Sequence, residues 1–140
     1  MKITELLETS DNRSVYRTGM CDAMAIALHE LTGLPLAAWR GTFFDEVFDE
    51  ESTEDCHICV VVSFNATKWI DVDGVHTGIP KNCFFNNPVT EVNLVPITKN
   101  DAAVTFSSDG VTPGEVAQAK DFIKNDSMLS SMVNSISPVL

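Results

Sequence analysis

Residues 57–74, HICVVVSFNATKWIDVDG, constrain the fold more than any other stretch. Two runs rich in β-branched and aromatic residues, HICVVVSF and KWIDVDG, flank a short Asn-Ala-Thr connection. That is the pattern of an antiparallel hairpin. Side chains on such a pair share a face when they lie directly opposite or are offset by two. If the loop is Phe64-Asn65-Ala66, Ser63 pairs with Thr67 and His57 lies opposite Asp73, with Asp71 diagonal on the same face. A loop at Asn65-Ala66-Thr67 keeps the same faces. A loop of two or four residues turns both aspartates away from His57 unless a bulge restores the parity. An odd loop or a bulge is therefore expected.

The stretch TGMCDAMAIALHELTG, residues 18–33, reads as a helix. Thr18 is its expected N-cap, which places Cys21 in the first turn, and Gly33 followed by Pro35 ends it. Cys21, Ala25, Leu28 and Leu31 fall near one face. Ahead of it, ITELLETS suggests a short opening helix. LPLAAWRGTFF holds a short strand. Residues 45–55, DEVFDEESTED, carry seven acids in eleven and read as a mobile loop with Phe44 and Phe48 as anchors. EVNLVPIT and AAVTFS read as a second hairpin turned at Lys99-Asn100-Asp101, with Pro96 forcing an edge position. TPGE, residues 112–115, starts a helix with Thr112 as cap, Pro113 at N1 and Glu115 at N3. Met128, Leu129, Met132, Val133 and Ile136 give the tail a helical stripe, read as core packing. The expected fold class is α+β, in one domain over residues 1–140. A cysteine-bearing helix packs on a small antiparallel sheet, with C-terminal helices over 112–140.

The net charge of −11, from 20 acidic and 9 basic residues, argues against a nucleic-acid backbone or an anionic membrane as partner. No stretch approaches the ~20 apolar residues of a membrane span, and MKITELLETSDNR lacks the apolar core of a secretory signal. The expectation is a cytoplasmic protein whose four cysteines, Cys21, Cys56, Cys59 and Cys83, are free thiols.

Cys21 opening a helix, His57 beginning a strand, and Asp71 or Asp73 ending the next have a joint chemical use. A helix N-terminus favours a thiolate over a thiol. A histidine within reach stabilises that thiolate and protonates a leaving group. A carboxylate on the far ring nitrogen fixes the tautomer and supports the imidazolium. The peptide N–H of Cys21 is a candidate oxyanion donor, with Asn12 and Ser14 as upstream candidates. Asp22, next to Cys21, opposes thiolate formation unless it points to solvent or caps the helix.

The series GMCDAMAIAL with Gly-Leu-Pro, then CHICVVV, then WIDVDGV resembles the papain-like cysteine peptidase superfamily. The likeness is to its compact bacterial and phage members, which shade into transglutaminase-like and NlpC-like groups. It runs over roughly residues 18–80 and rests on Gly19-Met20-Cys21, His57 and Asp71-Val72-Asp73-Gly74. It implies Cys21 as nucleophile, His57 as base and Asp71 as orienting acid, with Asp73 as runner-up. The implied chemistry is hydrolysis of a peptide or isopeptide bond with no cofactor, on a protein or peptide substrate that the acidic loop would select for basic character. Deamidation and transamidation use the same parts.

Two other readings stay open. One is a non-enzymatic acidic binding module, an inhibitor or decoy, on the same fold. The other is a zinc domain built on Cys56-His57-Ile58-Cys59 with Cys21, Cys83 or a histidine. Strand alternation, which sends residues 56 and 59 to opposite faces, disfavours it. His29 and His76 read as structural or exposed, and Trp39 and Trp69 as core or cleft-wall residues.

Overall fold

A computed structural model describes residues 13, 15–17, 20–80, 89–105 and 110–136. Helix α1 (Cys21–Thr32) leads into β1 (Leu36–Asp45), β2 (Glu50–Ser63), β3 (Lys68–Asp71), β4 (Gly74–Thr77) and β5 (Glu91–Pro96). Three helices follow: α2 (Lys99–Val104), α3 (Pro113–Asn125) and α4 (Ser127–Ile136). The strands make one sheet in the order β4-β3-β2-β1-β5, every neighbouring pair antiparallel. The class is α+β, as the sequence pattern requires. The expected opening helix at 3–10, Asn12, Ser14 and Cys83 lie outside the described residues; the N-cap of α1 is Met20, not the expected Thr18.

α1 is buried on every side from Cys21 to Leu28. A helix apolar all round belongs in the middle of a fold rather than on its surface. Ala23, Ala25 and Ala27 keep it thin enough to be flanked closely on both sides. Met24, Ile26 and Leu28 share one core with Leu36, Ala38, Ile58, Val60 and Ile70 of the sheet and with Ala119, Ile123, Leu129 and Val133 of α3 and α4. Each such large side chain contributes roughly 1.5–3 kcal/mol on burial. Leu129 and Val133 of the tail stripe are core, with Met132 and Ile136 packed against it as expected, while Met128 is 45% exposed. The helix stops at Gly33, whose φ of 76° is left-handed and whose N–H reaches His29 O at 2.8 Å. Alternation along the strands sends Ala37, Trp39, Cys59, Val61 and Trp69 into a second apolar cluster.

α3 starts as expected: Thr112 Oγ1 accepts from Glu115 N, Glu115 Oε1 accepts from Thr112 N, and Pro113 lies in the first turn. β5 is an edge strand, where Pro96 removes no ladder hydrogen bond from a second neighbour.

Three expectations are corrected. The segment after Lys99 is helix α2, not a strand of a second hairpin. Thr98 and Asp101 cap it reciprocally, and Ala102 and Ala103 favour helix over strand. The acidic stretch is not a mobile loop: β1 and β2 extend through it as a ribbon, paired out to Asp45 and Glu50. Acidic residues are tolerated there because pairing with β5 ends at Thr42 and Glu46, Asp49, Glu50 and Glu51 are exposed. Phe44 and Phe48 are not buried anchors; they are 50% and 70% exposed, beside Val47 at 86%.

Candidate active site

The β2–β3 connection is a four-residue turn, 64–67, accompanied by a bulge. Ser63 pairs with Lys68, but Val61 pairs with Trp69 and Val60 with Ile70, so one extra residue sits in β2 at Val62. The bulge restores the parity that an even turn destroys, which is the alternative the sequence allowed. Val60 opposite Ile70 puts Asp71 on the face of residues 57, 59 and 61. Past Ile70 the ladder ends, and β3 turns at Asp71 through Val72-Asp73 into β4. On the other side of β2, the pairing with β1 slips between Trp39 and Arg40, just before His57. His57 thus sits next to the slip in the β1–β2 pairing and past the last β2–β3 pair, Val60 with Ile70.

The imidazole meets both partners named from the sequence. Nε2 lies 3.0 Å from Asp71 Oδ2. Cys21 is close enough to act on the ring and favour the imidazolium. With Nε2 committed to Asp71, Nδ1 is the nitrogen left for the sulfur. Burial pulls the His57 pKa down, but the bond to Asp71, the nearby Cys21 and their negative charge reverse this and raise it to about 9. Burial pushes the Asp71 carboxyl up, and the His57 hydrogen bond, its charge, the Asp73 N–H and His76 outweigh it and hold the group below its usual range. Cys21, His57 and Asp71 are therefore brought together. Asp73 is not part of the group: Arg17 binds it bidentately at 2.8–3.0 Å, and Arg13 lies 3.7 Å away.

The N-terminus of α1 delivers Cys21 to this imidazole. Its N-cap is Met20, with no side-chain cap, so the only described acid in the first turn to offset the helix's positive end is Asp22. Asp22 neither reaches solvent nor caps from outside. It is 2% exposed, and its Oδ1 accepts from Ala23 N at 2.8 Å. Burial raises its pKa, which moderates the opposing charge. Cys21 itself is 3% exposed.

His76, expected to be structural or exposed, joins the site. Its Nε2 lies 2.7 Å from Asp71 Oδ1, and its ring stacks on Trp69 at 4.3 Å and 22°. Trp69 also meets the His57 ring edge-on at 5.5 Å, so it is a wall between the two imidazoles. The missed signal was the turn: reading Val72-Asp73 as a two-residue turn pairs Asp71 with Gly74 and Trp69 with His76, all on one face. His29 is structural, its Nδ1 held 2.6 Å from Leu34 O.

The cysteine expectation is corrected at Cys56, which is disulfide-bonded, while Cys21 and Cys59 are free. The premise of four free thiols fails there, and Cys56 is not available as a thiolate ligand to zinc. The slip before His57 also lets Cys56 pack against the same apolar cluster as Cys59. Burial pushes the Cys59 thiol well up, as expected of an inert core cysteine. Among the described residues no three His, Cys, Asp or Glu side chains are grouped to hold a metal. Nor, among them, is any helix long and apolar enough to cross a membrane.

No family model matches the chain, and neither a curated protein nor a solved structure does.

Proposed function

We propose that the chain is a papain-like thiol hydrolase, a cysteine peptidase or amidase acting on a peptide or isopeptide bond. Cys21 is the nucleophile, His57 the base and Asp71 the orienting acid. One observation carries the reading: a buried imidazole 3.0 Å from Asp71 Oδ2, with Cys21 at a helix N-terminus close enough to favour its charged form.

The chemistry follows from those parts. Cys21 passes its proton to His57, and the sulfur attacks the carbonyl carbon. The C–S bond forms as the carbonyl pair moves to oxygen, where the peptide N–H of Cys21 is the available donor. Collapse breaks the C–N bond, and His57 gives its proton to the departing amine. Water then loses a proton to His57 and attacks the thioester, the C–S bond breaks, and the acid leaves. An amine in place of water gives transamidation. No cofactor enters any step.

Neutral iodoacetamide at pH 6 tests this. A free thiol of pKa ~8.5 is under ~1% ionised there, so rapid labelling of Cys21 that falls about a hundredfold in His57→Ala supports the reading. Slow labelling of Cys21, equal in both proteins, rejects the enzyme. It would leave the binding module, which the buried Cys21 and the exposed Phe44, Val47 and Phe48 favour.

The substrate is proposed to be a protein of basic character. Glu50 lies seven residues before His57 along β2, a separation of about 24 Å. The acidic ribbon therefore meets regions of a substrate remote from the cleaved bond. Neutralising Asp49, Glu50 and Glu51 should slow cleavage of basic proteins and leave short peptides unaffected; an equal effect on both removes the idea. As to compartment, a cytoplasmic setting suits free Cys21 and Cys59, whereas the Cys56 disulfide suits an oxidising one. Four titratable thiols on protein isolated without reductant would favour the cytoplasm, and two would favour the oxidising setting.

A further inference from the structure

We infer that His76 is a fourth member of the site, a positioning residue that locks Asp71 against His57; this rests on the thiol-hydrolase reading for its functional meaning. Both oxygens of Asp71 are engaged: Oδ2 meets His57 at 3.0 Å, and Oδ1 accepts from Asp73 N at 2.8 Å and meets His76 at 2.7 Å. The Asp73 N–H lies two residues along the chain and turns with the β3–β4 corner. His76 lies on a different strand and is fixed independently. Its ring is clamped on the face of Trp69, whose Nε1 donates to Gly78 O at 2.8 Å. Asp71 therefore cannot rotate without breaking a bond to a ring that is itself held.

The groups facing Asp71 come from several elements. His57 comes from β2, His76 from β4, and Cys21 from α1 by way of His57. The charge of Arg17 also reaches it from the Asp73 side. Arg17 is committed bidentately to Asp73, so among these groups only His57 and His76 grip the Asp71 carboxylate from neighbouring strands. The carboxylate sits 12% exposed and His76 35% exposed, which makes His76 the outward end of the chain Cys21–His57–Asp71–His76.

Two variants separate positioning from packing. His76→Phe keeps a ring for Trp69 and removes the N–H. His76→Gln keeps an N–H donor and removes the ring. Each is made with Cys21 intact and in a Cys21→Ala background, and thermal unfolding confirms folding. With Cys21 intact, iodoacetamide labelling at pH 6 should fall about tenfold in His76→Phe and return to within about twofold of the parent in His76→Gln. In the Cys21→Ala background, NMR titration of the His57 ring should show its proton affinity reduced about tenfold by His76→Phe and restored by His76→Gln. A His57 titration unchanged or raised by His76→Phe overturns the inference, whatever Cys21 does. A parent protein whose Cys21 labels slowly at pH 6 overturns the hydrolase reading, while the His57 titration still decides the role of His76.

Discussion

Raising the pH should cost this fold stability through His57, within a window set by its pKa. The folded value is about 9, against an ordinary ~6.5 in the unfolded chain. A raised folded pKa means that the native state binds the proton more tightly. The stabilisation is therefore complete below pH ~6.5 and is lost as pH climbs toward 9. At ~1.4 kcal/mol per unit, the loss between pH 6 and pH 8.5 is about 2–3 kcal/mol. The window ends at 8.5 because Cys59, whose pKa burial also raises, begins to add a loss of the same sign above its unfolded value. The perturbation is His57→Gln, which offers Asp71 an N–H donor without a titrating ring. Urea unfolding is measured at half-unit steps for parent and variant. The parent should lose about 2–3 kcal/mol more than the variant across the window, whatever their absolute stabilities. Parallel pH profiles for the two proteins would show that His57 is not held protonated by Asp71 and Cys21, and the electrostatic account of the site would fall.

Gly74 closes the β3–β4 turn at a φ of 104°, a region in which side chains are strained, so Gly74→Ala should cost about 1–3 kcal/mol in chemical denaturation and slow Cys21 labelling by disturbing Asp71 and His76 together. Thr112→Ala removes one half of the reciprocal cap on α3 and should cost about 1 kcal/mol, read as a drop in melting temperature with no change in Cys21 labelling. Val47→Ser and Phe48→Ser at the ribbon tip should each leave stability within about 0.5 kcal/mol of the parent, since both side chains already face solvent. Reduction of the Cys56 disulfide should lower stability by about 2–4 kcal/mol, seen as a reductant-dependent shift in the urea midpoint.

What the sequence disclosed and what it hid divide along physical lines. Parity in the 57–74 hairpin was readable because the period-2 rule leaves only an odd loop or a bulge able to put Asp71 with His57, and the bulge at Val62 is one of those two. The Thr112 cap and the Gly33 stop were readable because each depends on side chains a few residues apart. α2 is hidden because Val104 and Thr105 have strand character and Lys99-Asn100-Asp101 has turn character, while the helix start rests on reciprocal Thr98–Asp101 bonds. The ribbon over 43–52 was hidden because a like-charge run repels itself along the chain. Two-stranded pairing still accommodates it because Glu46, Asp49, Glu50 and Glu51 meet water. The Cys56 bond is a matter of distance between remote residues, which spacing alone does not disclose.

The cost of the site bears on what it is for. Asp71 and His57 are buried at 12% and 11% exposure, beside a cysteine whose helix carries a second buried acid, Asp22. Buried ion pairs seldom add net stability over apolar residues of similar size. Hydrophobic replacements at 57 and 71 would extend the cluster of Trp39, Cys59, Val61 and Trp69 without a slipped ladder or an uncapped helix end. Each irregularity has the same consequence: it brings one polar group to the sulfur or to the imidazole. A purely structural polar network has no need of a cysteine at its head, whereas a nucleophile has need of every other member. If alanine at position 21 raised stability and left no measurable loss of hydrolysis, the irregularities would have to be assigned to folding specificity alone.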